Sequence, residues 1–179
     1  MQITIDEQII KDCISNKREA QYALYKLCYQ PFIRICLRYT KSKDEASEIL
    51  NKAFLKIFQK LDTYNSEGSI VGWMQRVVVN TALDHLKSER KYYKQENIED
   101  VSNEQFTEME TTALQSEDLL KMVRSLPTIQ SQVFNLFGIE GYTHAEVAEK
   151  LDITEATSKW HLFNARKALQ NMIKINNAN

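Results

Sequence analysis

The chain is 179 residues long, 43% hydrophobic and 26% charged, a balance that suits one soluble domain or two small ones with buried cores. Four glycines and two prolines are too few for an all-β sandwich, a collagen or a low-complexity chain, so a mostly helical protein is expected. The net charge of −1 hides an asymmetry: Glu96 to Asp118 holds eight acids and no Lys or Arg, while the other residues carry 23 bases against 16 acids. Two mildly basic pieces joined by an acidic strap point toward nucleic acid. The longest aliphatic run, Val77 to Val79, is far short of a membrane span, and the first residues lack a signal-peptide pattern. Cys13, Cys28 and Cys36 are odd in number and form no C-x-x-C pair. A cytoplasmic protein without membrane insertion, disulfides or a metal site is expected.

From Asp6 to about Tyr93 the chain reads as helix almost throughout. Thr4 with Glu7, and Ser42 with Glu45, have capping-box spacing, in which hydroxyl and carboxylate satisfy free amides at a helix start. Pro31 marks a break or restart after a helix containing Tyr22, Leu24 and Leu27. Between Lys43 and Lys60, Ala46, Ile49, Leu50, Ala53, Phe54 and Ile57 form a broad apolar face. Glu45, Glu48, Asn51, Lys52 and Lys56 form its polar edge, where ordinary ion pairs three and four residues apart would account for the charges. Asp62 to Gly68 reads as a polar loop. A long helix follows from about Ser69, with Ile70, Val71, Met74, Val77, Val78 and Thr81 toward the core. Arg76, Asn80 and Lys87 line the opposite side, with Trp73 and Asp84 on its margin. That stripe is either a solvated face or a nucleic-acid track with an aromatic ready to stack on an unstacked base. Residues 96–112 show no period and read as a flexible acidic linker.

Periodicity returns after the linker. A helix spans about Ala113 to Ser125, and Pro127 sits where a first helical turn tolerates it. Gly138 and Gly141 punctuate the end of the next helix. Thr143 and Glu146 form another capping box, opening a short helix through Lys150. Leu151 to Ile153 makes a turn, and a last helix runs from about Thr154 to Ile173. Two helices joined so tightly suggest a helix-turn-helix. On the last helix Leu162, Ala165, Leu169 and Met172 share one side, while Trp160, Phe163 and Lys167 lie opposite, flanked by Lys159 and Asn164. The stretch from Ser158 to Ile175 has no acid. Such a helix either reads bases in the major groove or packs its aromatics on the other domain or a partner.

Catalysis finds little support. His85, His144 and His161 belong to no H-E-x-x-H pattern, and no P-loop, G-x-S-x-G or G-x-G-x-x-G occurs. The three histidines read as isolated surface or capping residues. The strap's carboxylates follow no EF-hand spacing. Neither an enzyme nor a cofactor is expected.

Two motifs, in order, converge on one family. Residues 45–58 (EASEILNKAFLKIF) resemble the D-A-E-D-x-x-Q-E-x-F core-binding helix of bacterial sigma factors. Residues 70–87 (IVGWMQRVVVNTALDHLK) are similar to their promoter-melting helix, F-x-x-W-L-x-R-I-x-x-N-x-x-x-D-x-x-R. Downstream, Leu126 to Phe134, residues 140–153 (EGYTHAEVAEKLDI) and residues 154–166 (TEATSKWHLFNAR) look like the helix-turn-helix domain of that family. The compact layout resembles the extracytoplasmic-function (ECF) group. Lys52 and Ser47 stand where the family has acids, and Ser131, His161 and Asn164 where it has Arg.

The resemblance implies an all-α protein: residues 1–95 as the domain that binds polymerase core and the −10 element, 96–112 as linker, and 113–179 as the helix-turn-helix domain for the −35 element. It assigns Glu45, Glu48, Asn51 and Phe54 to RNA polymerase core. Trp73, Arg76, Asn80, Asp84 and Lys87 fall to −10 DNA. Thr157, Lys159, Trp160, Phe163, Asn164, Arg166 and Lys167 fall to −35 DNA. An anti-sigma partner is implied as well. The residues by themselves also fit a helix-turn-helix repressor acting without polymerase, or a helical adaptor that binds only protein. From the linker reading, protease under native conditions is expected to cut first within 96–112 and leave two stable fragments; mapping the first cuts by mass spectrometry checks it.

Overall fold

The computed structural model describes residues 4–40, 42–65, 68–95 and 116–176; the expected linker, 96–112, lies outside them. The described residues form eight α-helices and no strand, in two compact units, one within Met1–Glu108 and the other within Met109–Asn179.

The first unit contains α1 (Glu7–Ile14), α2 (Arg18–Tyr39), α3 (Lys43–Lys60) and α4 (Ile70–Gln95). Helix α2 buries Leu24, Cys28, Phe32 and Cys36, spaced four apart, so the stripe follows a ridge inclined to the helix axis. Ile49, Leu50, Ala53, Phe54 and Ile57 of α3 meet it, together with Met74, Val78, Val79, Ala82 and Leu83 of α4. The α4 core face is broader than its sequence stripe because this helix packs against both α2 and α3. Val79, Ala82 and Leu83 are buried, whereas Ile70, Val71 and Val77 are only half-buried.

Two local readings are corrected. Helix α2 continues through Pro31 rather than breaking there. A proline inside a helix costs about 3 kcal/mol. Downstream of it Phe32, Ile33, Ile35 and Cys36 are all buried, and the larger of these side chains contribute roughly 1.5–3 kcal/mol each, so burial outweighs the local penalty. The cap of α1 is Asp6 and not Thr4: the Gln8 amide donates to Asp6 Oδ1 at 2.9 Å. Ser42 does cap α3, accepting from the Glu45 amide at 3.2 Å. A 3₁₀ turn, Leu61–Thr63, ends α3 and opens the loop to α4.

The second unit is built around α8 (Glu155–Asn176), on which α5 (Ser116–Arg124), α6 (Thr128–Val133) and α7 (His144–Leu151) pack. Val123, Leu126, Ala165 and Leu169 form one cluster, with Met122, Phe134, Ala168 and Met172 against it. Helix α6 runs on into a wider π-type turn, Phe134–Ile139. Gly141, at φ +78°, then takes a backbone conformation that costs other residues strain. Thr143 caps α7 with both halves of the capping box: its hydroxyl accepts from the Glu146 amide at 3.2 Å, and its amide donates to Glu146 Oε2 at 2.8 Å. Asp152 turns the chain in the left-handed region, φ 55°, and the Ile153 amide donates to Ala148 O at 3.0 Å. The Thr154 hydroxyl then accepts from the Thr157 amide at 3.1 Å and starts α8. This is a helix-turn-helix, with α8 as its second helix.

All three cysteines are free and buried in the first unit. Burial pushes the Cys28 thiol up to about 11 and the Cys36 thiol up to about 12. Cys13 is raised as well, by burial and then by the Asp12 charge. Since the thiolate is the reactive form, a disulfide reagent at pH 8 should label none of them in the native protein and all three in denaturant. Counting released chromophore in the two conditions checks this.

Candidate functional site

Three surfaces carry the residues singled out in the sequence. On α3, Glu48 and Asn51 are exposed and Glu45 is half-buried. Each has an internal partner. Glu45 Oε1 lies 2.9 Å from His85 Nε2 of α4, and Glu48 pairs with Lys52 at 2.6 Å. The Lys52 ammonium, by hydrogen bond and charge, holds the Glu48 carboxyl below its usual range. Asn51 Oδ1 accepts from the Tyr25 hydroxyl at 3.1 Å. Phe54 needs correction. It is 2% exposed, its ring 4.6 Å from Tyr25, 6.1 Å from Phe32 and 5.8 Å from Phe58, so it fills the core and offers no contact surface. The apolar residue open on this edge is Leu55, 59% exposed and one to two turns along from Glu48, Asn51 and Lys52. It interrupts the polar side of α3, and that interruption is the signal the apolar periodicity passed over.

On α4, Arg76, Asn80, Asp84 and Lys87 are exposed and follow one another at spacings of four, four and three, which places them in a row. Met74, Val78 and Thr81 face the core behind them. Asp84 is bound by Lys56 of α3 at 3.1 Å, so the one acid in the row has its charge offset by a neighbouring cation. Trp73 is half-buried, its ring 5.9 Å from Tyr64, whose hydroxyl donates to Gly68 O at 2.7 Å. The loop before α4 is thereby tied to the start of the row.

On α8, Trp160 and Phe163 are 59% and 66% exposed, on the side away from Leu162, Ala165 and Leu169. Lys159, Arg166 and Lys167 are exposed with them, Lys159 lying 3.7 Å from Glu155 and the Arg166 guanidinium 6.0 Å from the Phe137 ring. Two residues differ from expectation. Thr157 is half-buried and its hydroxyl lies 2.8 Å from that of Thr154, within the helix cap. Asn164 is half-buried with its amide nitrogen buried and unbonded. Whichever way that amide is turned, one polar atom points inward, so the two-pronged adenine contact is not open to it.

The histidines are not the isolated groups that the sequence suggested. His85 bridges α3 and α4. The His144 ring stacks on Phe137 at 4.1 Å, and its Nδ1 lies 2.9 Å from the Oγ of fully buried Ser158, tying the first residue of α7 to α8. His161 is half-buried with Nδ1 buried. Burial depresses both His144 and His161, with the Lys159 and Arg166 charges adding to the effect at His144.

A helix-turn-helix whose second helix turns aromatics and cations outward, in a chain whose other unit carries a polar row of its own, has the make-up of a DNA-binding protein. The family model for sigma-70 region 2 matches residues 24–92, and that for sigma-70 region 4 matches residues 116–169. The ECF RNA polymerase sigma-E factor of Escherichia coli K12 is 23% identical over 184 residues, covering 95% of both chains. That of Haemophilus influenzae is 21% identical over 182 residues, covering 95% of this chain and 96% of its own. Among solved structures, the fold resembles the sigma factor RpoE of Bartonella quintana, co-crystallised with the anti-sigma factor NepR. The TM-score is 0.62 at 16% identity, over 86% of this chain and 96% of that one. It also resembles CnrH in complex with the cytosolic domain of CnrY, with a TM-score of 0.53 at 14% identity over 95% and 97%. The chain belongs to the sigma-70 family, in its ECF group, and directs RNA polymerase to promoters.

The depressed histidines set a pH dependence for the second unit. Both titrate at about 6.5 when unfolded and lower when folded, so the fold favours the neutral ring. Their contribution is complete above the unfolded value and is lost as pH falls through the folded one. The urea midpoint of this unit should therefore fall on acidification below about 6.5, and the fall should shrink in a His144→Gln, His161→Gln double variant.

Proposed function

We propose that the three surfaces divide the work of promoter opening. Residues 1–95 bind polymerase core and the −10 element, residues 113–179 bind the −35 element, and 96–112 connect them. On α3, Glu45, Glu48 and Asn51 meet the polymerase, with Leu55 in place of Phe54 as the apolar contact. An exposed aliphatic side chain beside polar neighbours suits the centre of such an interface, with the charges as its rim. On α4, Arg76, Asn80 and Lys87 follow the −10 backbone, and Trp73 with its loop stands where an unstacked base is captured. Taking a base out of the stack costs a few kcal/mol. Simultaneous engagement of both units by one polymerase and one promoter offsets that through effective concentration.

On α8, Lys159, Arg166 and Lys167 hold phosphates while Trp160 and Phe163 approach the bases of the −35 major groove. The observation that carries this reading is the outward placement of these two large aromatics, 59% and 66% exposed, on a helix-turn-helix's second helix. Phe163 is of the type that meets thymine methyls. The protein acts without catalysis of its own and in the cytoplasm. No helix among the described residues is long and apolar enough to cross a membrane. The sigma factor RpoE of Bartonella quintana was solved with an anti-sigma factor, and an anti-sigma protein that covers these surfaces is the partner inferred here.

Glu48→Lys should weaken co-elution with polymerase core at moderate salt while leaving the circular dichroism spectrum unchanged. Co-elution equal to that of the parent protein would refute the α3 assignment. The two DNA surfaces should differ in kind. Lys87→Ala is expected to weaken binding at all promoters and lower the salt slope by about one unit. Phe163→Ala should change sequence preference at one −35 position, costing about 1–3 kcal/mol there. A randomised promoter library transcribed with core polymerase distinguishes the two effects.

A further inference from the structure

The seam between α3 and α4 gathers three metal-ligating side chains, Glu45, His85 and Glu89, of which the surfaces above use only Glu45. His85 and Glu89 stand one turn apart on α4 and so share a face. Glu45 reaches them from α3. His85 Nε2 lies 2.9 Å from Glu45 Oε1 and 3.9 Å from Glu89 Oε1, and the three donor atoms all fall within 4.8 Å of one another. A tetrahedral ion with bonds near 2.0–2.2 Å sets its ligands roughly 3.3 Å apart, so small side-chain rotations would bring these atoms to three of the corners. The side chains are 20%, 20% and 38% exposed, which shelters the donors and leaves one side open for a water as fourth ligand.

Charge and hydrogen-bond capacity favour an ion there. One imidazole nitrogen faces two carboxylates, yet it can donate a single hydrogen bond, and only Glu45 is within its reach. Glu48, one turn along from Glu45, adds negative charge on the same side, although Lys52 draws it away. A divalent cation would serve both carboxylates and the ring together. An imidazole in the set selects for borderline transition metals over Mg²⁺ or Ca²⁺, which prefer all-oxygen shells.

We propose that Glu45, His85 and Glu89 form a binding site for a divalent transition-metal ion of the Zn²⁺ class, which clasps α3 to α4. The ion would fasten two helices that meet through apolar contacts, the His85–Glu45 contact and the Lys56–Asp84 pair. Of its three ligands Glu45 is shared with the edge of α3 proposed to meet polymerase, whereas His85 and Glu89 belong to none of the proposed contacts, so metal titration of the isolated protein tests the site separately from that reading.

The test uses the purified full chain, titrated with Zn²⁺ and with Co²⁺. One equivalent should bind saturably. The Co²⁺ spectrum should show d–d absorption without a thiolate charge-transfer band, since the three thiols are buried elsewhere in the unit. Zn²⁺ should raise the melting temperature, because the ligand set exists only in the folded state, and excess Mg²⁺ should not compete. His85→Ala and Glu89→Gln should each weaken Zn²⁺ binding by more than about tenfold. Glu89→Gln keeps the His85–Glu45 contact, so it remains informative even if His85→Ala fails to fold. Absence of saturable binding, equal Zn²⁺ affinity in Glu89→Gln and the parent protein, or a thiolate-dominated Co²⁺ spectrum would overturn the proposal.

Discussion

Helix α4 buries one face in the core and keeps a polar row open on the other, and the packing of the first unit follows from that division. Its packing against both α2 and α3 buries Met74, Val78, Val79, Ala82 and Leu83 and leaves a narrow strip open. Arg76, Asn80, Asp84 and Lys87 occupy that strip at intervals of about one helical turn. Displaced by one position, the Asn80 side chain would fall where Val79 or Thr81 is buried, and an unpaired polar group there is costly. The burial of one face therefore sets the register of the other. Lys56 reaching over from α3 to Asp84 couples that register to α3.

The second unit meets a similar demand by a shorter route. Asp152 reverses the chain in a single left-handed residue, and the Thr154 hydroxyl starts α8 at once. With the turn that short, the angle of α8 is set by whatever joins it to α7. His144 and Ser158 make that join at a fully buried hydroxyl, and Phe137 supports the ring from its other side. Groups on the buried side of α8 thus help to set how Trp160 and Phe163 are presented.

Much of this was legible from local pattern. The apolar repeats of α3 and α8, the Thr143 box and the tight turn after Leu151 depend on neighbours within a few residues, which periodicity and capping rules capture. What local pattern missed depends on long-range packing. Glu45 and His85 are forty residues apart, so nothing near either one shows that they meet. Phe54 sits in a family motif beside contact residues, yet aromatic neighbours from α2 claim its ring. Pro31 follows its usual rule only where no core lies downstream. Asn164 looked outward by helical angle alone, but a residue on the flank of a helix turns with the neighbours that crowd it.

The placement of the sulfurs has a bearing on how the cell could address this protein. Cys13, Cys28 and Cys36 lie at 1%, 0% and 0% exposure in the unit proposed to hold the polymerase. Peroxide chemistry needs an accessible thiolate. It could reach these atoms only after the helices had parted, and the oxidised side chain would then be too polar to be packed again. Oxidant damage would be seen as a declining pool of active factor, removed by turnover, and not as a reversible signal. A rapid redox response in this transcription programme would have to be sensed by another molecule and passed on through binding.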